Sequence, residues 1–153
     1  MENIYFRYRG HSEWILKNYN RTFTSAKINH LTGKNGTGKS TVLYLLLGML
    51  VPHKGQIIIT DNQGNNYILH QDINLRHWRE NNVAYCAHDT LLEEGSTGQR
   101  QLANINQALA QKNSAQIFLF DEADNALDQD NQEKFQERIK ELAKNKIVVY
   151  IKH

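Results

Sequence analysis

The sequence holds one cysteine and one proline, and its 18 lysines and arginines are nearly matched by 16 aspartates and glutamates. The single thiol, Cys86, excludes an intramolecular disulfide framework and suits a reducing compartment, so a cytoplasmic chain is expected. Without a marked charge excess there is no global field of the kind a nucleic-acid binder uses, and no nucleic-acid partner is expected. Long hydrophobic runs are missing too. The most apolar stretch, residues 42–51, is about half of what a membrane-spanning helix needs, and it stops at Pro52. It reads as a buried helix. No basic flank with an apolar core and a small-residue cleavage site opens the chain, so no secretion signal is expected. Internal repeats and low-complexity segments are also absent, and 153 residues suit one domain with one core.

What the sequence does have is glycine in one informative place. Gly33-Lys34-Asn35-Gly36-Thr37-Gly38-Lys39-Ser40-Thr41 contains the pattern G-x-x-x-x-G-K-S between an extended segment and an apolar helical one. Glycines at that spacing let consecutive backbone N–H groups face one point, and the following helix adds the positive end of its dipole. The stretch reads as a phosphate-binding loop, with Lys39 reaching the β- and γ-phosphates and the Ser40 hydroxyl ligating Mg²⁺. The plainer alternative is a glycine-rich turn ahead of a helix.

Periodicity organises the remainder. Residues 4–8 alternate as a strand would, residues 14–16 begin a second strand after the Gly10 turn, and residues 27–31 lead into the glycine loop. Residues 39–50 are apolar on nearly every face and predict a buried helix. Residues 56–60 and 67–69 flank a turn rich in Asp, Asn and Gly, the pattern of a β-hairpin. That turn also matches the D-x-x-G of GTPases through Asp61 and Gly64, but no N-K-x-D for guanine follows. Residues 83–87 predict a core strand ending at His88 and Asp89. Residues 99–111 predict a helix with Leu102, Ile105 and Leu109 on one face. Ile117, Phe118, Leu119 and Phe120 are consecutive apolar residues, the mark of a parallel strand buried on both faces, and they end in Asp121 and Glu122. Acids at a strand's carboxyl end are placed for chemistry, a metal ligand and a base, or else cap the next turn. Asp128 or Asp130 can cap a helix carrying Phe135, Ile139 and Leu142, and residues 147–151 form a last apolar strand. The remaining histidines, His11, His30, His53, His70 and His77, show no metal-ligand spacing and read as surface or packing residues.

Together these residues resemble the nucleotide-binding domain of the ATP-binding cassette (ABC) ATPases, nearly end to end. The glycine loop is close to the family form. Residues 117–122 match its Walker B strand with the following glutamate, residues 124–128 resemble the D-loop, and Gly95-Ser96-Thr97-Gly98-Gln99 resembles the L-S-G-G-Q signature. Leu75-Arg76-His77-Trp78-Arg79 and Asn125-Ala126-Leu127-Asp128 bring it closest to exporter domains. The resemblance implies an α/β P-loop NTPase core, a mostly parallel sheet flanked by helices with an N-terminal antiparallel β portion. It implies Mg²⁺-dependent ATP hydrolysis in the nucleotide-binding subunit or domain of an ABC transporter. By the same resemblance, Gly33, Asn35, Gly36, Thr37, Gly38, Lys39, Ser40 and Thr41 bind the phosphates, and Tyr8 stacks on adenine, with Tyr5 a rival and core packing an alternative. Asp121 holds Mg²⁺ through water together with Ser40, and Glu122 polarises the attacking water. His153 senses the γ-phosphate, or is a frayed chain end. Ser96, Gly98 and Gln99 act in trans across a homo- or heterodimer around ATP, and Asp128 belongs to the D-loop. A membrane-embedded transporter subunit is the further partner implied, which would place the chain at the inner face of the membrane.

The sequence departs from the pattern at named places. His88 stands where the family has its Q-loop glutamine, and Gly95 and Thr97 replace a leucine and a glycine of the signature. Only residues 89–95 lie between His88 and Ser96, where the family normally inserts a helical subdomain. The expectation is a single domain over 1–153, shortened there and at the C-terminus. Two other readings follow: an ATP-binding regulatory or assembly module with little turnover, and an ABC-type ATPase of DNA maintenance. For the latter the sequence offers neither a coiled-coil insertion nor a basic stripe.

Overall fold

The computed structural model describes residues 1–87, 105–107, 109–110, 114–125 and 127–152. In chain order its elements are β1 Glu2–Phe6, β2 Leu16–Tyr19, β3 Ile28–Leu31, α1 Lys39–Leu46, β4 Lys54–Gln56, β5 Ile58–Thr60, β6 Asn66–Ile68, α2 Leu75–His77 with a π-helical turn Trp78–Asn82, β7 Val83–Cys86, β8 Ile117–Asp121, α3 Gln129–Ala143 and β9 Ile147–Ile151. The chain divides into two compact units, one of Met1–Thr22 and Gly33–Glu80, the other of Phe23–Thr32 and Asn81–His153.

The first unit is antiparallel. Its three-stranded sheet has the order β2-β1-β4, and β5 and β6 form a separate hairpin. Alternation in β1 buries Ile4 and Phe6, as residues of period two must when one face meets a core. The strand ends at Phe6, not at Tyr8, because the chain turns there: Ile15 N–H donates to Phe6 O at 2.9 Å and His11 N–H to Tyr8 O at 3.1 Å. The hairpin turn is organised by Asp61, whose carboxylate accepts from Gln63 N–H, Asn65 N–H and the Asn65 amide. That is the work of a polar turn and accounts for the D-x-x-G match.

Helix α1 buries Thr41, Val42, Leu43, Leu45 and Leu46, as its apolar faces require, but it is shorter than the expected 39–50. Gly48, at φ 67°, ends it: Gly48 N–H donates to Leu45 O at 3.0 Å and Met49 N–H to Tyr44 O at 2.9 Å, a Schellman cap. The orphan carbonyls beyond find side-chain donors. Trp78 Nε1 donates to Leu46 O at 2.9 Å and Arg79 Nη1 to Gly48 O at 3.3 Å. Trp78 and Arg79 therefore fasten the end of the helix that begins at the glycine loop.

The second unit is a four-stranded, wholly parallel sheet of order β3-β9-β8-β7. Every residue of β8 is buried, which explains its unbroken apolar run. One face gathers Ala84, Cys86, Phe118, Phe120, Val148 and Tyr150 into a core with Ile105, Leu109, Phe135 and Ile139. Phe135 meets Phe120 and Tyr150 edge to face, with centroids 5.3 and 5.9 Å apart. Asn29 is the buried polar residue of β3. Its buried amide donates to Thr24 O and Val148 O at 2.8 and 2.9 Å and its Oδ1 accepts from Thr24 N–H, so residues 24–29 are tied to the sheet. Asp128, not Asp130, caps α3, accepting from Asn131 N–H at 2.9 Å. Of the expected helix over 99–111, residues 105–107 and 109–110 are helical, with Ile105 and Leu109 in the core; Leu102 lies outside the described residues.

Candidate functional site

The glycine loop is shaped by its own backbone. Gly36 and Gly38 have φ of 80° and 89°, a region that penalises any side chain. A Cβ on Gly38 would also meet Ile15 Cγ2 and Leu16 Cδ2 at 2.9 Å. Thr37 Oγ1 closes the turn by donating to Lys34 O at 2.9 Å, and Lys39 Nζ lies across it, donating to Gly33 O at 2.7 Å and Lys34 O at 3.1 Å. The loop runs directly into α1. Gly38 is the N-cap, no side chain caps the first turn and no acid sits in it. The opening N–H groups of Lys39, Ser40 and Thr41 are thus left for an anion, where the helix dipole favours one.

Tyr8 belongs to this cluster. Its hydroxyl shares a 3.1 Å hydrogen bond with Thr41 Oγ1, its ring stands edge-on to Phe6 at 5.1 Å, and it remains 37% exposed. Tyr5 is engaged differently, with its ring against Trp14 at 5.6 Å and Lys54 Nζ at 5.7 Å. The Tyr8–Thr41 contact was not legible from the sequence, because nothing local links residues 33 positions apart.

The acids lie at the end of β8 in the second unit. Asp121 is its last residue and is buried. Glu122 turns out of the strand at φ 53°, with its N–H on Ile151 O at 3.1 Å and its Oε2 accepting from Asn125 Nδ2 at 2.8 Å. Asp124 is buried beside Tyr150, whose hydroxyl donates to it. Burial, reinforced by that carboxylate, pushes the Tyr150 phenol far above its ordinary value, so it stays a donor. The expectations at His88, Ser96, Gly98, Gln99 and His153 lie outside the described residues.

A glycine loop on a helix N-terminus and a parallel strand ending in two acids define the class: an α/β P-loop nucleotide-binding domain. The particular family follows from comparison. The profile of the ABC transporter family matches residues 16–97, more than half of the chain. The chain belongs to that family, as its ATP-binding domain. It is 27% identical over 193 aligned positions to the leukotoxin export ATP-binding protein LtxB of Aggregatibacter actinomycetemcomitans, covering 99% of this chain and 27% of that one. It is 28% identical to the leukotoxin translocation ATP-binding protein LktB of Mannheimia haemolytica, again over 99% of this chain and 27% of the relative. The chain thus spans about a quarter of the length of these relatives.

Among solved structures it superposes with a TM-score of 0.79 and 22% identity on a dimeric post-hydrolysis state of the ATP-binding cassette MJ0796 bound to ADP and Pi, covering 99% of this chain and 86% of that one. With a bacterial Atm1-family ABC exporter with ATP bound the TM-score is 0.74 at 18% identity, over 99% of this chain and 33% of that one. At these identities the likeness is one of fold, and it bears out the P-loop core with a parallel sheet and an antiparallel N-terminal portion. Among the described residues no helix is long and apolar enough to cross a membrane.

Proposed function

We propose that this chain binds ATP with Mg²⁺ and hydrolyses it as the nucleotide-binding part of an exporter-type ABC system in the cytoplasm. The observation that carries the reading is the loop over residues 33–40, which offers backbone N–H groups, a lysine ammonium and a helix N-terminus to one anion. The donor set suits the cofactor. Ser40 and Asp121 offer hard oxygen ligands, and Mg²⁺ is typically held by one or two such groups together with phosphate oxygens and water. When bound, ATP supplies the phosphoanhydride bond that breaks, and Mg²⁺ neutralises charge on its oxygens.

The chain's own residues do the rest. Lys39 exchanges its carbonyl partners for phosphate oxygens, and Asn35 and Thr37 line the loop. Tyr8, exposed beside the loop's helix, stacks on the base in preference to Tyr5, which is half-buried. Glu122 orients the attacking water and takes its proton. Asp128 and, in trans, Ser96, Gly98 and Gln99 serve a head-to-tail dimer, with His88 a nucleotide-binding residue in place of the Q-loop glutamine and His153 sensing the γ-phosphate. The export and translocation roles of the relatives support an exporter, with a membrane-embedded subunit as partner.

Turnover tests the reading. Glu122→Gln is expected to lower kcat by roughly 10²–10⁴-fold while ATP binding persists, and Lys39→Ala to abolish binding. Equal turnover in wild type and Glu122→Gln would sink the hydrolytic assignment. A second reading is favoured by His88 and the short stretch 89–95: an ATP-binding module with little turnover. Light scattering separates the two, since an ATP-bound monomer without turnover supports the module.

A further inference from the structure

The turn after β8 carries a buried polar pair that hydrolysis by Glu122 leaves unexplained. Asp124 is 3% exposed and Tyr150 is 0% exposed. The Tyr150 hydroxyl, from β9, donates to Asp124 Oδ1, and Gln136 Nε2, from α3, donates to Oδ2 at 3.4 Å. A second α3 side chain, Gln132, donates through Nε2 to Asp124 O at 3.3 Å and to Leu127 O at 3.0 Å. Three side chains from two elements thus converge on one short turn.

An apolar core does not need this arrangement. Burying a carboxylate is costly unless its oxygens are hydrogen-bonded, and a phenylalanine at 150 would bury similar area without asking for a partner. Polar pairs of this kind give up stability relative to well-packed apolar residues and fix one geometry instead. The geometry they fix lies two residues beyond Glu122. That residue holds a left-handed backbone, φ 53°, which is strained for a residue with a Cβ and persists only where its surroundings impose it. Asn125 N–H donates to Glu122 O at 3.3 Å, Leu127 N–H to Asp124 O at 3.1 Å, and Asn125 Nδ2 to the Glu122 carboxylate at 2.8 Å. Asp124 is the anchored member of that chain of contacts.

We propose that Tyr150 and Asp124 form a buried lock that positions the Glu122 carboxylate through the turn that follows β8. Both are positioning residues, and the proposal rests on the assignment of Glu122 to hydrolysis. Tyr150→Phe keeps the ring and removes the donor. Asp124→Asn keeps an acceptor for Tyr150, whereas Asp124→Ala removes it.

The test combines Mg²⁺-ATP turnover, binding of a fluorescent ATP analogue and amide hydrogen exchange on the full chain. Tyr150→Phe is expected to lower kcat about tenfold, the size of one buried hydrogen bond, with the KM for ATP and analogue binding unchanged. Exchange at the Asn125 and Leu127 amides should rise by a similar factor. Asp124→Asn should retain more turnover than Asp124→Ala. In a Glu122→Gln background Tyr150→Phe should cost nothing further, because the lock acts only through that carboxylate. Unchanged exchange at Asn125 and Leu127 overturns the lock. Faster exchange with unchanged kcat, or an equal loss in the Glu122→Gln background, overturns positioning. If Glu122→Gln itself leaves turnover intact, the hydrolytic assignment has failed instead, and exchange alone then decides whether the lock exists.

Discussion

The glycine loop and the acidic turn after β8 each present a small number of polar groups, yet they are held by opposite means. The loop is exposed and is shaped by backbone: left-handed glycines, a Thr37 hydroxyl and a lysine all bonded to carbonyls within a few residues. The acidic turn emerges from a strand buried along its whole length and is held by side chains from α3 and β9. The phosphate binding proposed for the loop needs N–H groups that can close on an anion, so local geometry is enough. The general base proposed at Glu122 needs a carboxylate kept at one orientation, and local geometry alone does not hold a charged side chain still.

That contrast can be broken from either side. The largest effect on stability is expected at the buried end. Phe135→Ala removes the ring that meets Phe120 and Tyr150 and should cost about 3–5 kcal/mol, read as a fall in the denaturation midpoint. A loss below 1 kcal/mol would show that α3 contributes little to the sheet unit.

At the loop, Gly38→Ala should cost less in stability, about 1–2 kcal/mol from the left-handed backbone, while lowering ATP affinity by more than that fraction of stability suggests. Calorimetric titration with ATP alongside urea unfolding separates the two. Wild-type affinity in a destabilised variant would mean that the loop's curvature is not what binds phosphate.

The smallest effect concerns Cys86, in β7. Burial pushes its thiol from an ordinary value of 9.0 up to about 11. A raised value in the folded chain means that its contribution to stability is complete below pH 9 and is lost as pH rises from 9 toward 11. Cys86→Ala should therefore flatten the loss of stability across that window. An identical pH profile for the two proteins would contradict the burial of the thiol.

Much of the architecture was legible because it is written in short-range patterns. Four consecutive apolar residues, Ile117 to Phe120, indicated a strand buried on both faces before any neighbour was known. Gly48 carried the signal for the end of α1, although the apolar run beyond it hid the cap. Asp128 and Asp130 were equivalent as caps on paper, and only the bond to Asn131 N–H separates them. Tyr8 was the expected base-stacking residue with Tyr5 its rival, and nothing in the sequence showed that Thr41 lies beside the one and Trp14 beside the other. Residues 75–80 gave no strong period, and their role at the end of α1 depends on Trp78 reaching a carbonyl 32 positions away.

By itself, the sequence determined the glycine loop, the parallel core strands and the family, since glycine spacing and hydrophobic period act over a few residues. Only the tertiary structure decided which side chains meet at the turn after β8. Tyr150, Asp124 and Gln136 are far apart in the chain, and each looks ordinary alone. They become a single device because the sheet and α3 bury them together, where a hydrogen bond left unmade is costly.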